Sequence, residues 1–338
     1  MPFWLDIAAF ALKALLIVAA IGGLVFVVTL LTRGEKEDDT QIKIDSLNDR
    51  YDAQRARLNV ELLSKKERKA LAKASKKAAK SVAAQPTPKR IYVLDFKGDL
   101  RATAVTRLGR EIDAVLTVAR PEQDEVVVRI ESPGGTVTGY GLAASQLLRL
   151  RAASVKLTAC VDQVAASGGY LMACAADRIV AAPFAIVGSI GVVAQVPNLN
   201  RLLKKNDIDF EEITAGEFKR SVSIFGEITP AGREHFRGKL DATHEEFKEF
   251  VGQNRPRLEI PKVANGDTGL GREALTLGLV DELAASDDYL FRRRDGADIY
   301  EISSEERKSL LQQILSRLGF AAQAAAGFVM ENLGNVGG

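Results

Sequence analysis

Histidine and cysteine are nearly missing from this chain of 338 residues, which carries two of each. Cys160 and Cys174 are too few for a disulfide framework. Both sit among Ala and Val, so they read as small core residues. His235 and His244 fall in a stretch that reads as one helix, at a spacing that puts them on different faces, so they do not form a metal pair. They read as surface histidines. A Ser-His-Asp triad therefore has little histidine to draw on. An excess of one charge is lacking too: 46 Lys and Arg against 44 Asp and Glu leave a formal +2, so no nucleic-acid partner is expected of the chain as a whole. Nothing in these counts requires a cofactor or a metal.

Apolar residues make up 46% of the chain, enough for a buried core. From Ala14 to Leu31 the sequence is apolar apart from Thr29 and Gly22-Gly23, long enough with the residues before Lys13 to span a bilayer. A cleaved signal peptide is the rival, but no small-x-small site follows; Thr32-Arg33-Gly34-Glu35-Lys36 does. Residues 1–34 are therefore expected to form a transmembrane anchor. Residues 35–89 read as a charged helical stalk, with Ile44, Leu47, Tyr51, Leu58 and Leu62 at near-helical spacing. Its basic run from Lys65 to Lys80 has a rival reading as an arm lying on anionic lipid or binding nucleic acid. Pro86 and Pro88 close the stalk.

Residues 90–300 have a different texture. Ile91–Phe96, Glu125–Ile130, Val155–Val161 and Arg178–Ala181 are short runs of strand character. Helical patterns alternate with them at Ala104–Val118 and Gly139–Leu150, which predicts a layered α/β domain with mainly parallel strands. A long amphipathic helix is expected over Ala231–Gln253 and a short one over Gly271–Leu277. In the tail, residues 301–338, Ser303 and Glu306 stand at capping-box spacing ahead of an apolar helical face. That tail is expected to pack on the preceding domain or to rest on a membrane surface.

Three glycine-bearing turns follow three of the strands. Glu131-Ser132-Pro133-Gly134-Gly135 joins a stiff proline to glycines that let bare backbone approach a ligand. Ala166-Ser167-Gly168-Gly169 puts a serine at a strand-to-helix turn, where free amides can hold an oxyanion. A serine there can equally be only a helix cap. The third turn is Val187-Gly188-Ser189-Ile190-Gly191.

Taken in order, ESPGG, ASGGY, APFAIVGSIGVVAQ and AGEFKRS resemble the SohB branch of the SppA-like signal peptide peptidases, over roughly Arg90 to Glu282. The resemblance implies a ClpP/crotonase-like spiral of ββα units and a serine protease. It places Ser167 on the nucleophile, Lys219 on the general base, Ser189 on the serine that bonds that lysine, and Gly135 and Gly168 on the oxyanion-hole donors. The sequence separation of Ser167 and Lys219 is that of the family. Arg220 to Gly226 reads RSVSIFG, where many SppA-like proteins have a proline and a phenylalanine; the SohB branch shares this departure. A lysine acts as a base only when neutral, and removing its ammonium from water favours that form. Phe218, Ile224 and Phe225 are the residues expected to dry Lys219.

The resemblance further implies peptide substrates, signal-peptide-like remnants among them. It also implies a bacterial inner membrane with the catalytic domain on the periplasmic side, whereas the basic stalk argues for the cytoplasmic side under the positive-inside rule, though most of its lysines lie beyond that rule's reach. It implies as well a closed ring of about eight subunits in which serine and lysine meet across a boundary. Within one chain Ser167 and Lys219 are then expected to stay unbonded. Two rivals stand against this reading: an acyl-CoA enzyme of crotonase type, and a non-catalytic membrane scaffold. The first is poorly served, because no acidic residue lies between Ala165 and Cys174.

Overall fold

The computed structural model describes Lys13, residues 40–71, Lys73, and residues 88–216 and 218–306. The apolar run at 14–31, the lysines at 76, 77 and 80, and the tail beyond 306 lie outside the described residues. Among the described residues no helix is long and apolar enough to cross a membrane.

Strands β1 (Thr40–Ser46), β2 (Lys89–Lys97), β3 (Glu125–Glu131), β4 (Lys156–Val161), β6 (Arg178–Ala181), β9 (Glu282–Leu283) and β10 (Ala297–Glu306) form one sheet in the order β1-β10-β2-β3-β4-β6-β9. From β10 to β9 every pairing is parallel. β2 and β3 are almost uninterrupted apolar runs because both of their faces are covered. Tyr92, Leu94 and Phe96 turn to one face, beneath helices α2 (Val105–Val118) and α3 (Val137–Ala152), while Ile91 and Val93 turn to the other with Tyr289 and Leu290. Burying each such large side chain contributes about 1.5–3 kcal/mol.

A second sheet holds three short strands, β5 (Val164–Ala166), β7 (Ile186–Gly188) and β8 (Thr268–Leu270). β5 and β7 run parallel, with Ala166 opposite Gly188, and β8 is antiparallel to β7. The chain thus lays β4 in the large sheet and β5 in the small one before α4 (Gly168–Cys174), then repeats the move with β6 and β7. Helices α5 (Asn200–Lys205), α6 (Pro230–Asn254), α7 (Ile260–Val263), α8 (Gly271–Thr276) and α9 (Ser286–Phe291) complete the fold. Pro230 starts α6 and the Thr229 side chain accepts from the Gly232 amide, a paired start signal.

Three expectations change. The stretch expected to begin the stalk belongs to the compact unit formed by residues 42–304. There α1 (Leu47–Leu62) buries Leu47, and Asn48 is bonded to the carbonyls of Arg294 and Ala297 and to the Ile299 amide. The Asn48 hydrogen bonds and the packing of Leu47 and Tyr51 together tie its first turns down. Second, Ser303 and Glu306 lie in β10 and cap no helix, since Ile299 and Ile302 are buried and the Ser304 amide donates to Glu111. Third, neither histidine is a free surface group. His244 bonds the Ile190 carbonyl at 3.1 Å, and His235 stacks on Phe218 with ring centres 3.9 Å apart and its Nε2 buried. The cysteines are buried and unpaired as expected, and burial pushes both thiols far above their usual range.

Candidate active site

Ser167 sits between β5 and α4 with φ 52° and ψ −117°, outside the regions open to ordinary L-residues. Neighbouring structure holds it there: its amide donates to Gly188 and its carbonyl accepts from Leu171. The side chain makes no capping bond, so the capping role that a serine in this position could fill is not taken up. A strained serine with an uncommitted hydroxyl at a strand-to-helix turn is free to act as a nucleophile.

The first glycine turn is carried to the same place. Ser132 bridges to Ala165, donating its amide to Val164 and accepting from Ala166, so the small sheet grips the end of β3. Gly134 has φ 92°, and a Cβ added there would lie 2.8 Å from the Ser167 Cβ and from the Gly168 nitrogen. Gly168 itself presses on the Tyr140 ring, where an added Cβ would meet Cγ at 2.4 Å. Tyr140 is fully buried below both turns, and its hydroxyl bonds Ser132 Oγ and the Asp99 carbonyl. The Gly168 amide is the first of α4 and has no acceptor within the helix. Gly135 and Gly168 line the same cavity as Ser167.

Ser189 follows from strand register. Ala166 pairs with Gly188, so the next residues, Ser167 and Ser189, leave adjacent parallel strands at one level. Both have left-handed φ, 52° and 54°. Ser189 donates its amide to Asp267 and its hydroxyl to Gly266, at 3.2 Å. The donor of that hydroxyl is therefore spoken for, and its lone pairs are left to accept.

Lys219 is not brought to this group. It is exposed in a turn that lines a separate depression with Phe218, Val222, Ile224, Phe225 and Phe236. No hydrogen bond joins it to Ser167 or Ser189 among the described residues. The residues expected to dry it do not do so within one chain, because Phe218, Ile224 and Phe225 are 41, 44 and 40% exposed. The turn is nevertheless held firmly. Besides the Phe218–His235 stack, α6 comes so close at Gly232 that an added Cβ would lie 2.5 Å from the Ser221 carbonyl oxygen.

A cavity of about 510 Å³ opens beside Ser167. Its walls come from α3, α4, the segment 191–193, and α6 through Phe247 and Phe250. Sequence reasoning missed Tyr140, whose only signal is one bulky residue among glycines and alanines. It missed the α6 wall as well, whose apolar face carries no mark of what it covers.

Comparison with known proteins completes the picture. The family model described as Peptidase family S49 N-terminal matches residues 2–147, and that described as Peptidase family S49 matches residues 149–299. The chain is 53% identical over 223 residues to a protein of Haemophilus influenzae named probable protease SohB, covering 66% of this chain and 63% of that protein. It is 42% identical over 307 residues to a probable protease SohB of Buchnera aphidicola from Schlechtendalia chinensis, covering 87% of this chain and all of the relative. With both halves matched, and with the two turns that meet at Ser167 falling one in each half, the chain belongs to peptidase family S49.

Proposed function

We propose that this chain is a membrane-anchored serine endopeptidase with a Ser167–Lys219 dyad, acting on membrane-associated peptides such as signal-peptide remnants. The observation that carries the reading is the strained, uncapped Ser167 at the mouth of the cavity. The neutral Lys219 amine takes the proton of Ser167 Oγ as that oxygen attacks the peptide carbon. The amides of Gly135 and Gly168 receive the charge that develops on the carbonyl oxygen. Lys219 returns the proton to the leaving amine, and water then releases the acyl group from Ser167 by the same steps in reverse roles. Ser189 orients the amine by accepting from it.

Lys219 meets Ser167 across a boundary between copies in a homo-oligomeric ring. The exposed lysine and its exposed apolar neighbours support this, since a second subunit is what would take them out of water. Ile213 and Leu202, at 88 and 55% exposure, are further large apolar side chains left in water by one chain. The alternation of strands between two sheets supports the ClpP/crotonase-like spiral. The run at 14–31 serves as anchor in a bacterial inner membrane, with the catalytic unit on the periplasmic side.

The test mixes Ser167→Ala with Lys219→Ala subunits, each inactive alone. Activity should return in the mixed oligomer, because some boundaries then carry both intact residues. Confirmed mixed oligomers without activity would refute the shared site, and a serine-directed probe that leaves Ser167 unlabelled in the intact protein would refute the nucleophile.

A further inference from the structure

The cavity beside Ser167 is chemically lopsided. Val137, Leu171, Val193, Phe247 and Phe250 give it apolar walls, while α6 adds two carboxylates, Glu246 and Glu249. Within one chain none of the residues lining it is a lysine, arginine or histidine, and the Lys219 that a neighbour would bring is engaged by Ser167 and Ser189. Glu246 has no hydrogen bond or ion pair among the described residues, and Glu249 accepts a single bond, from Gln253 at 3.0 Å. The nearest cation on the helix, Lys248, is paired with Glu245. An apolar trough with unneutralised negative charge at one wall suits one kind of side chain above others: a long aliphatic stem that ends in a cation.

We propose that this cavity receives a lysine or arginine of the substrate next to the bond that is cut, and that Glu246 and Glu249 are the residues that select it. The inference rests on the protease reading above, since it places the substrate over Ser167. Space does not restrict the choice, because 510 Å³ holds a long side chain and the backbone beside it. Selection comes from the wall. The stem lies along Leu171, Phe247 and Phe250, the cation faces the two carboxylates at the exposed rim, and a glutamate in the same place meets like charge there.

The measurement is kcat/KM of the full-length, assembled protein on three quenched fluorescent peptides that differ only at this residue: lysine, norleucine or glutamate. Norleucine keeps an aliphatic stem and lacks the charge. Lysine should exceed norleucine about threefold, equivalent to about 0.7 kcal/mol and in the range of an exposed ion pair, and glutamate should be the poorest. In the Glu246→Gln/Glu249→Gln double variant the lysine-to-norleucine ratio should fall to about one, and Glu246→Lys should raise glutamate above lysine. A norleucine peptide cut as well as the lysine peptide by the unaltered enzyme, with cutting lost in Ser167→Ala, would overturn the selection and leave the protease reading standing. Failure to cut any of the three in a Ser167-dependent way would overturn both.

Discussion

If Ser167 is held in a backbone conformation that it would not choose, replacing it with glycine should make the protein more stable. At φ 52° and ψ −117° a residue with a Cβ costs about 1–3 kcal/mol. Glycine removes that cost but loses about 0.5–1 kcal/mol through the added freedom of its unfolded chain. The net gain is about 1 kcal/mol, a rise in Tm of roughly 2–4 °C for a unit of this size. Ser167→Ala is the control, since it also deletes the hydroxyl but keeps the Cβ and with it the strain. Far-UV circular dichroism of the detergent-solubilised protein in urea would follow both variants, with equal slopes showing that the same surface unfolds. Ser167→Gly should have the higher midpoint, and neither variant should cleave peptides. A glycine variant no more stable than the alanine variant would refute the claim that the turn stores strain.

Tyr140→Phe removes the hydroxyl that bonds the buried Ser132 and the Asp99 carbonyl, so it should cost about 1–3 kcal/mol. It should lower kcat more than KM, because the turn it supports carries Gly135; unchanged kcat in a folded variant would remove Tyr140 from the support of the site. Burial alone would raise the pKa of Glu125, but bonds from Lys89, Thr158 and Tyr289 outweigh it and hold the carboxyl below its usual value. Its contribution is therefore present above the unfolded pKa of about 4.3 and lost as pH falls through the lower folded value. Glu125→Gln should cost about 2 kcal/mol at pH 7, with the gap closing at acid pH; a gap that stays constant down to pH 3 would contradict this.

The large sheet was legible because its strands are buried on both faces, so β2, β3, β4 and β6 stand out as β-branched runs between amphipathic helices. The small sheet was not, since β5, β7 and β8 have three residues each, too few for any period to show. β10 misled because the spacing of Ser303 and Glu306 imitates a capping box, while its true signal is the buried pair Ile299 and Ile302. β1 and the start of α1 were hidden for another reason. β1 is held by its place beside β10, and α1 by Asn48 together with only two packed apolar residues, Leu47 and Tyr51, which leave no clear apolar face in a polar stretch. At the site, the turns around Ser167 and Ser189 were readable as motifs, whereas their convergence with Tyr140 and with α6 depends on packing between segments far apart in the chain.

The pairing of Ala166 with Gly188 has a consequence for where a base can stand. Neighbouring strands lie about 4.8 Å apart. Ser167 and Ser189, the residues that follow this pair, are thereby kept one strand apart by main-chain bonds and not by side-chain packing. On the dyad proposed above, the sheet itself then marks the place an amine must reach, whichever subunit supplies it.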